Sequence, residues 1–174
     1  MRITHLLLLA LLVLAALWRI VPHPDNMTPV MAVALFAGIW LKPLVLRIGA
    51  PIAVLLVSDL ALGFHDTMLF VYAAMLLPVA LAPLLRGRGI GAYAGASVVN
   101  ALVFFVVTNL GVWMVSGMYT HDLAGLLSCF TLALPFLWKT LAGDLFFTVL
   151  FFVMFALAQK YQPEAGIRTS SHAL

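Results

Sequence analysis

Residues 91–117 read GAYAGASVVNALVFFVVTNLGVWMVSG, a run without a single Asp, Glu, Lys, Arg or His. A helix needs about 20 apolar residues to cross a bilayer core, so this run reads as a membrane span. Outward from it the pattern recurs. Six segments reach or approach the required length: Ile3–Val21, Pro29–Leu41, Val45–Phe64, Thr67–Leu85, Gly91–Gly117 and Pro135–Lys160. The second is short and Pro43 closes it, which predicts a tilted stub or a helix that stops part-way under the cover of its neighbours.

The composition agrees. The chain of 174 residues is 65% hydrophobic and 9% charged, with a mean hydropathy of +1.16. Soluble domains carry about 25% charged residues. The expected fold is therefore all-α, one integral membrane bundle of six transmembrane helices over residues 1–161, followed by a polar, disordered cytoplasmic tail over 162–174. No soluble catalytic domain fits in what remains. Ile3–Val21 is longer than the roughly 7–15-residue apolar core of a signal peptide and no Ala-x-Ala site follows, so it reads as a retained span.

Charge fixes the expected topology. Arg2, Lys42, Arg47, Arg86, Arg88, Lys160 and Arg168, seven of the nine basic residues, fall on the side of the termini. Because short cytoplasmic loops carry the excess of Lys and Arg, both termini are expected in the cytoplasm, the chain crossing the membrane several times. The same distribution argues against nucleic acid as a partner, since the basic residues flank apolar runs. The lipid bilayer is the partner they imply. Leu123–Leu134 is apolar but too short to cross alone, and is expected to lie as an interfacial or re-entrant helix before the last span at Pro135.

The outward loops each carry a His–Asp pair: Pro22-His23-Pro24-Asp25-Asn26, Phe64-His65-Asp66 and Thr120-His121-Asp122. Imidazole and carboxylate suit Ni²⁺, Co²⁺ or Zn²⁺, so His23, His65 and His121 are candidate ligands if the loops converge on one divalent ion. A lone loop histidine is otherwise a solvated polar residue. Polar groups within the spans need a reason of their own. Asp59, Lys139 and Asp144 form a candidate intramembrane charge network in which Lys139 reaches Asp59 across the bundle, and the same set reads equally as a structural pair or as part of an outward pocket. The pocket's candidate lining is His23, Asn26, Asp59, His65, Asn109 and Trp113, with His121 and Cys129. Cys129, the one cysteine, excludes an internal disulfide and reads as either an apolar filler or a soft metal ligand. Trp18 and Trp138 fit an interfacial belt, whereas Trp113 and Tyr119 would wall a pocket. The small-residue pairs Ala34/Gly38 and Gly91/Gly95 allow close helix approach, within the chain or against a partner. No catalytic Ser/His/Asp arrangement, phosphate-cradling glycine loop or Walker motif is present, so an enzyme is not expected and ATP would be hydrolysed by another subunit.

Several of these stretches, in order, carry a resemblance. Arg19-Ile-Val-Pro-His23-Pro-Asp-Asn26-Met-Thr28-Pro29, Ser58-Asp59-Leu-Ala-Leu-Gly63-Phe-His65, Phe104-Phe-Val-Val-Thr108-Asn109-Leu-Gly-Val-Trp113 and Gly125-Leu-Leu-Ser-Cys129-Phe130 resemble a family of uncharacterised bacterial polytopic membrane proteins described in general terms as transport proteins. The chain departs from that pattern at Asp25, where a second proline is usual, and at Phe130, where a tyrosine is. In size and span count it is similar to the substrate-binding S-components of energy-coupling-factor (ECF) transporters. That resemblance implies capture of a vitamin, cofactor or metal ligand from the outer side, with an ECF-type scaffold subunit and ATPases as partners. Cobalamin, with Cys129 on the cobalt, is one minority ligand among these. The alternative is a self-contained ion- or proton-coupled secondary transporter or channel.

Overall fold

The computed structural model describes residues 3–160. They form seven helical segments: α1 (Ile3–Ile20), α2 (Val30–Trp40), α3 (Leu44–Leu62), α4 (Met68–Ala74), α5 (Leu76–Leu85), α6 (Ile90–Val115) and α7 (Leu123–Lys160). There is no strand among the described residues, and the tail expected from 162 onward lies outside them. Four rods are long and apolar enough to cross a membrane: α3, α4 with α5, α6, and α7. The apolar helices His5–Ile20 and α2 are shorter.

The surface is the apolar part of this molecule. Val45 is 80% exposed, Leu69 75% and Leu60 72%, while Ser58, Asp59, Ser97, Asn100, Thr140, Asp144 and Thr148 are all buried. In water such contiguous apolar patches would drive association. In lipid the arrangement is the stable one, because the outer Leu, Val and Phe side chains meet acyl chains and the polar groups find partners inside.

At the centre is α2. It is apolar all round, the mark of a buried helix, and nine of its eleven residues are buried. It packs against α1, α3, α5, α6 and α7, so the expected helix shielded by its neighbours is what forms. It ends where Leu41 turns extended, two residues before Pro43, which cannot continue a helix. Gly38 permits its closest contact: a Cβ there would lie 2.5 Å from the Cβ of Ala82 and 3.3 Å from the carbonyl oxygen of Val79, both on α5. Ala34 is fully buried in the same helix. These two small residues therefore serve packing within the chain rather than a partner face. Gly91 and Gly95 on α6 have no neighbour within 4 Å.

The span expected over 67–85 forms as Met68–Leu85, with a local break at Met75 between α4 and α5. Pro78 is the cause, having no N–H to offer the carbonyl of Ala74 and crowding it as well. Conversely, Leu123–Leu134 is not a separate interfacial or re-entrant helix. It is the first third of α7, which runs 38 residues unbroken through Pro135. The helix survives its proline because Leu123–Leu134 packs against the C-terminal half of α6. Cys129 Sγ donates to the Asn109 carbonyl at 3.4 Å, and the Phe105 and Phe130 rings meet edge to face, centroids 5.6 Å apart. In an apolar solvent there is also no water to reward unwinding.

The two ends of the bundle differ in charge. At one end Trp40, Arg86, Arg88, Tyr93 and Gln159 border a cavity of about 480 Å³. There Arg47 donates through Nε to the Leu41 carbonyl at 2.7 Å and through a terminal nitrogen to the Lys42 carbonyl at 3.0 Å, closing the end of α2. Lys42, Arg47, Arg86 and Arg88 thus gather at one end, and the histidine loops lie at the other.

Candidate functional site: a polar cleft at the histidine end

The loop between α1 and α2, residues 21–29, shapes this end. Pro22, Pro24 and Pro29 restrict its backbone. Asn26 sits at φ 58°, the left-handed region that asparagine tolerates better than other side chains. The turn is tied down on both flanks. Trp18 Nε1 donates to the Met27 carbonyl at 2.9 Å, and the Met27 N–H donates to the Pro24 carbonyl at 3.1 Å. Met27 in turn rests against Gly143 of α7, where a Cβ would come within 3.0 Å of its backbone Cα. His23 donates through Nδ1 to the Val21 carbonyl at 2.8 Å.

Behind this loop lies a buried ion pair. Arg19, one residue from the end of α1, places a terminal guanidinium nitrogen 2.7 Å from Asp59 Oδ1 of α3. The Tyr72 hydroxyl of α4 donates to Asp59 Oδ2 at 2.7 Å. Asp59 is 2% exposed, so three helices are joined through one desolvated carboxylate with both oxygens satisfied. This corrects the expected network of Asp59, Lys139 and Asp144. Lys139 does not reach Asp59. It pairs with Asp25 at 3.0 Å, a half-exposed contact of a kind worth about 0–1 kcal/mol. Asp144, on α7, joins neither pair: it is 2% exposed and its Oδ2 has no hydrogen-bond partner.

Three cavities adjoin here and Asn26 lines all of them. The first, about 350 Å³, is bordered by Arg19, His23, Asn26, His65, Thr140 and Asp144. The second, about 210 Å³, shares Thr140 with it and adds Thr108 and Asn109. The third, about 360 Å³, shares Asn109 and reaches Tyr119 and Cys129. Of the sequence candidates, His23, Asn26 and His65 therefore meet in one cavity, and Asn109 and Cys129 in the adjoining ones. Asp59 stands behind Arg19 rather than at the wall. His65 is oriented by a 2.9 Å hydrogen bond between Nδ1 and Thr67 Oγ1.

The third histidine loop stays apart. The His121 ring lies 5.4 Å from that of Trp113, whose indole N–H donates to the Thr120 carbonyl at 2.9 Å. Neither ring borders the three cavities. Asp122 starts α7, accepting the Gly125 N–H at 2.7 Å and the Thr120 hydroxyl at 2.9 Å. Those hydrogen bonds, the backbone one first, hold its carboxyl below the usual range. Gly125 is required there because a Cβ would strike the Thr120 carbonyl. Convergence of the three loops on one ion is thus corrected. His121 is engaged in closing the α6–α7 turn, and among the described residues no group of three or more His, Cys, Asp or Glu could hold a metal.

Sequence reading passed over Arg19 and Thr140. For Arg19 a signal exists: a full charge inside the last turn of an apolar helix needs a buried acid within reach of its long side chain. Nothing in the sequence marks Thr140.

A family model described as "Family of unknown function (DUF6580)" matches residues 1–165. No curated protein matches the chain, and no solved structure does.

Proposed function

For a chain that belongs to this DUF6580 family, we propose the role of a substrate-binding membrane subunit of a bacterial uptake transporter, similar to an ECF S-component. The chain passes through the inner membrane six times with both termini inside, α2 filling only part of the depth on its pass, because the arginine-rich end faces the cytoplasm. The histidine end then opens outward and captures a small vitamin- or cofactor-like molecule. One observation carries this reading: the cavity of about 350 Å³ beside Asn26, in which charged, imidazole and hydroxyl groups converge over apolar walls. Ligand sites have this character, a volume of roughly 300–1,000 Å³ with few placed polar groups. Without a phosphate-binding loop in the chain, reorientation would be driven by separate scaffold and ATPase subunits.

A cysteine at position 65, in a Cys129→Ala background, should react with a membrane-impermeant maleimide in intact spheroplasts. One at position 88 should react only after permeabilisation. The reverse pattern overturns the orientation. Detergent-purified full-length chain should carry a small molecule by native mass spectrometry, or melt higher with at least one compound of a broad metabolite set, and His65→Ala should reduce that occupancy several-fold. Empty spectra together with no shift across the set would overturn capture.

Asp144 favours a second reading. An unpartnered carboxyl in a membrane helix is also what a proton- or ion-coupled transporter uses as its relay. Flux into liposomes holding this chain alone would select that reading, and strict dependence on added subunits would exclude it.

A further inference from the structure

We infer that the first cavity recognises an organic ammonium group, with Asp144 as its counter-ion; this rests on the capture reading and specifies its substrate class. The charge balance of the histidine end leads there. Asp25 pairs with Lys139, and Asp59 is neutralised by Arg19 and accepts from Tyr72. Asp122 is bound by the turn that starts α7, and Asp66 lies exposed in its loop. Asp144 alone among these is buried without a partner, and it lines the cavity. A carboxylate taken out of water gains most from a cation that also donates hydrogen bonds.

The surroundings choose among cations. A divalent metal requires several hard oxygen or imidazole ligands, and no such group of three exists among the described residues. An alkylammonium presents three N–H donors on one nitrogen, and a few converging acceptors suffice to hold it. The Asp144 carboxyl, which borders the cavity, supplies one. Thr140, one turn earlier on α7, supplies another, because its hydroxyl proton goes to the Phe136 carbonyl at 3.0 Å and its lone pairs remain. Val30, Met31, Leu55 and Val71 give the remainder of the ligand apolar walls. An anion is disfavoured, since Arg19 is already committed to Asp59 and Asp144 would repel it.

The test uses the full-length chain in detergent and four probes of matched size: butylammonium, 1,4-diammoniobutane, butanol and butyrate. Binding is read from the melting temperature and from the part of the tryptophan fluorescence change that Trp18→Phe removes, Trp18 being hydrogen-bonded to the loop over the cavity. The two ammonium probes should bind and the other two should not. Asp144→Asn should weaken ammonium binding at least tenfold. Should that variant fail to fold, Thr140→Val, which keeps the carboxylate, should weaken it several-fold. Equal binding of butanol or butyrate would overturn the ammonium assignment and leave capture standing. So would ammonium binding unchanged in Asp144→Asn, or a stabilisation by NaCl alone that Asp144→Asn removes. If none of the four probes binds, the ammonium assignment falls, and the metabolite screen separately decides whether the cleft captures anything.

Discussion

Replacing Arg19 with alanine should destabilise the bundle by about 3–5 kcal/mol, the typical effect of removing one partner from a buried ion pair. The size follows from what is left behind. Asp59 is 2% exposed and would retain only the Tyr72 hydroxyl, so a carboxylate would sit in a low-dielectric interior with no cation to offset its lost hydration. A double replacement separates this from a general packing defect. Arg19→Met with Asp59→Asn removes both charges, keeps the methylene bulk beside α3 and leaves an amide oxygen for Tyr72. It should recover more than half of the loss, since buried pairs exchanged for neutral groups of similar volume are often tolerated. Chemical denaturation in mixed micelles gives both numbers. An Arg19→Ala chain that unfolds like the parent would mean that the pair links α1 to α3 without stabilising either.

The second large effect belongs to Gly38. Even a methyl group there meets Ala82 at 2.5 Å, with the α5 backbone at 3.3 Å behind it, and backbone cannot move aside as the end of a side chain can. Gly38→Leu should therefore separate α2 from α5 and lose about 3 kcal/mol or more, the upper part of the overpacking range. Gly91→Leu and Gly95→Leu are the matched controls. Neither glycine has a neighbour within 4 Å, so each should stay within about 0.5 kcal/mol, as exposed substitutions do. If they destabilise the protein in native membranes but not after purification, a second polypeptide packs on that face of α6.

The ends of most helices are legible in the sequence because the apolar runs stop at charge, proline or glycine: α3 at Gly63, α2 before Pro43, α6 after Gly89. The gathering of basic residues at one end is legible for the same reason. Contacts are not. Arg19 and Lys139 look alike in one dimension, each a lone cation near the histidine end of an apolar run, yet one reaches a buried acid and the other a loop. Only the rotation of α1 and α7 about their axes decides which. Pro135 misleads because the usual expectation of a break assumes water to take up the freed carbonyl, whereas here α6 and lipid surround the helix. Each of the three loops pairs a His with an Asp, and what separates His121 is the two-point closure by Trp113 and Asp122, which depends on how tightly α6 turns into α7. Of the candidate lining, His23, Asn26, His65 and Asn109 border cavities, whereas Asp59, Trp113 and His121 do not. The pairing among them is not legible.

The burial of α2 has a consequence for how the molecule is made. At eleven residues it spans about 16 Å, roughly half the hydrocarbon core, and it emerges from the ribosome before α3, α5 and α7 exist to enclose it. Its unsatisfied terminal carbonyls and amides are unsuited to bare lipid, so α2 cannot be stably seated as it is synthesised. Its enclosure is complete only once α7, the most C-terminal of its packing partners, has been made. The polar cleft, lined by Thr140 and Asp144 of α7, likewise depends on the last helix made.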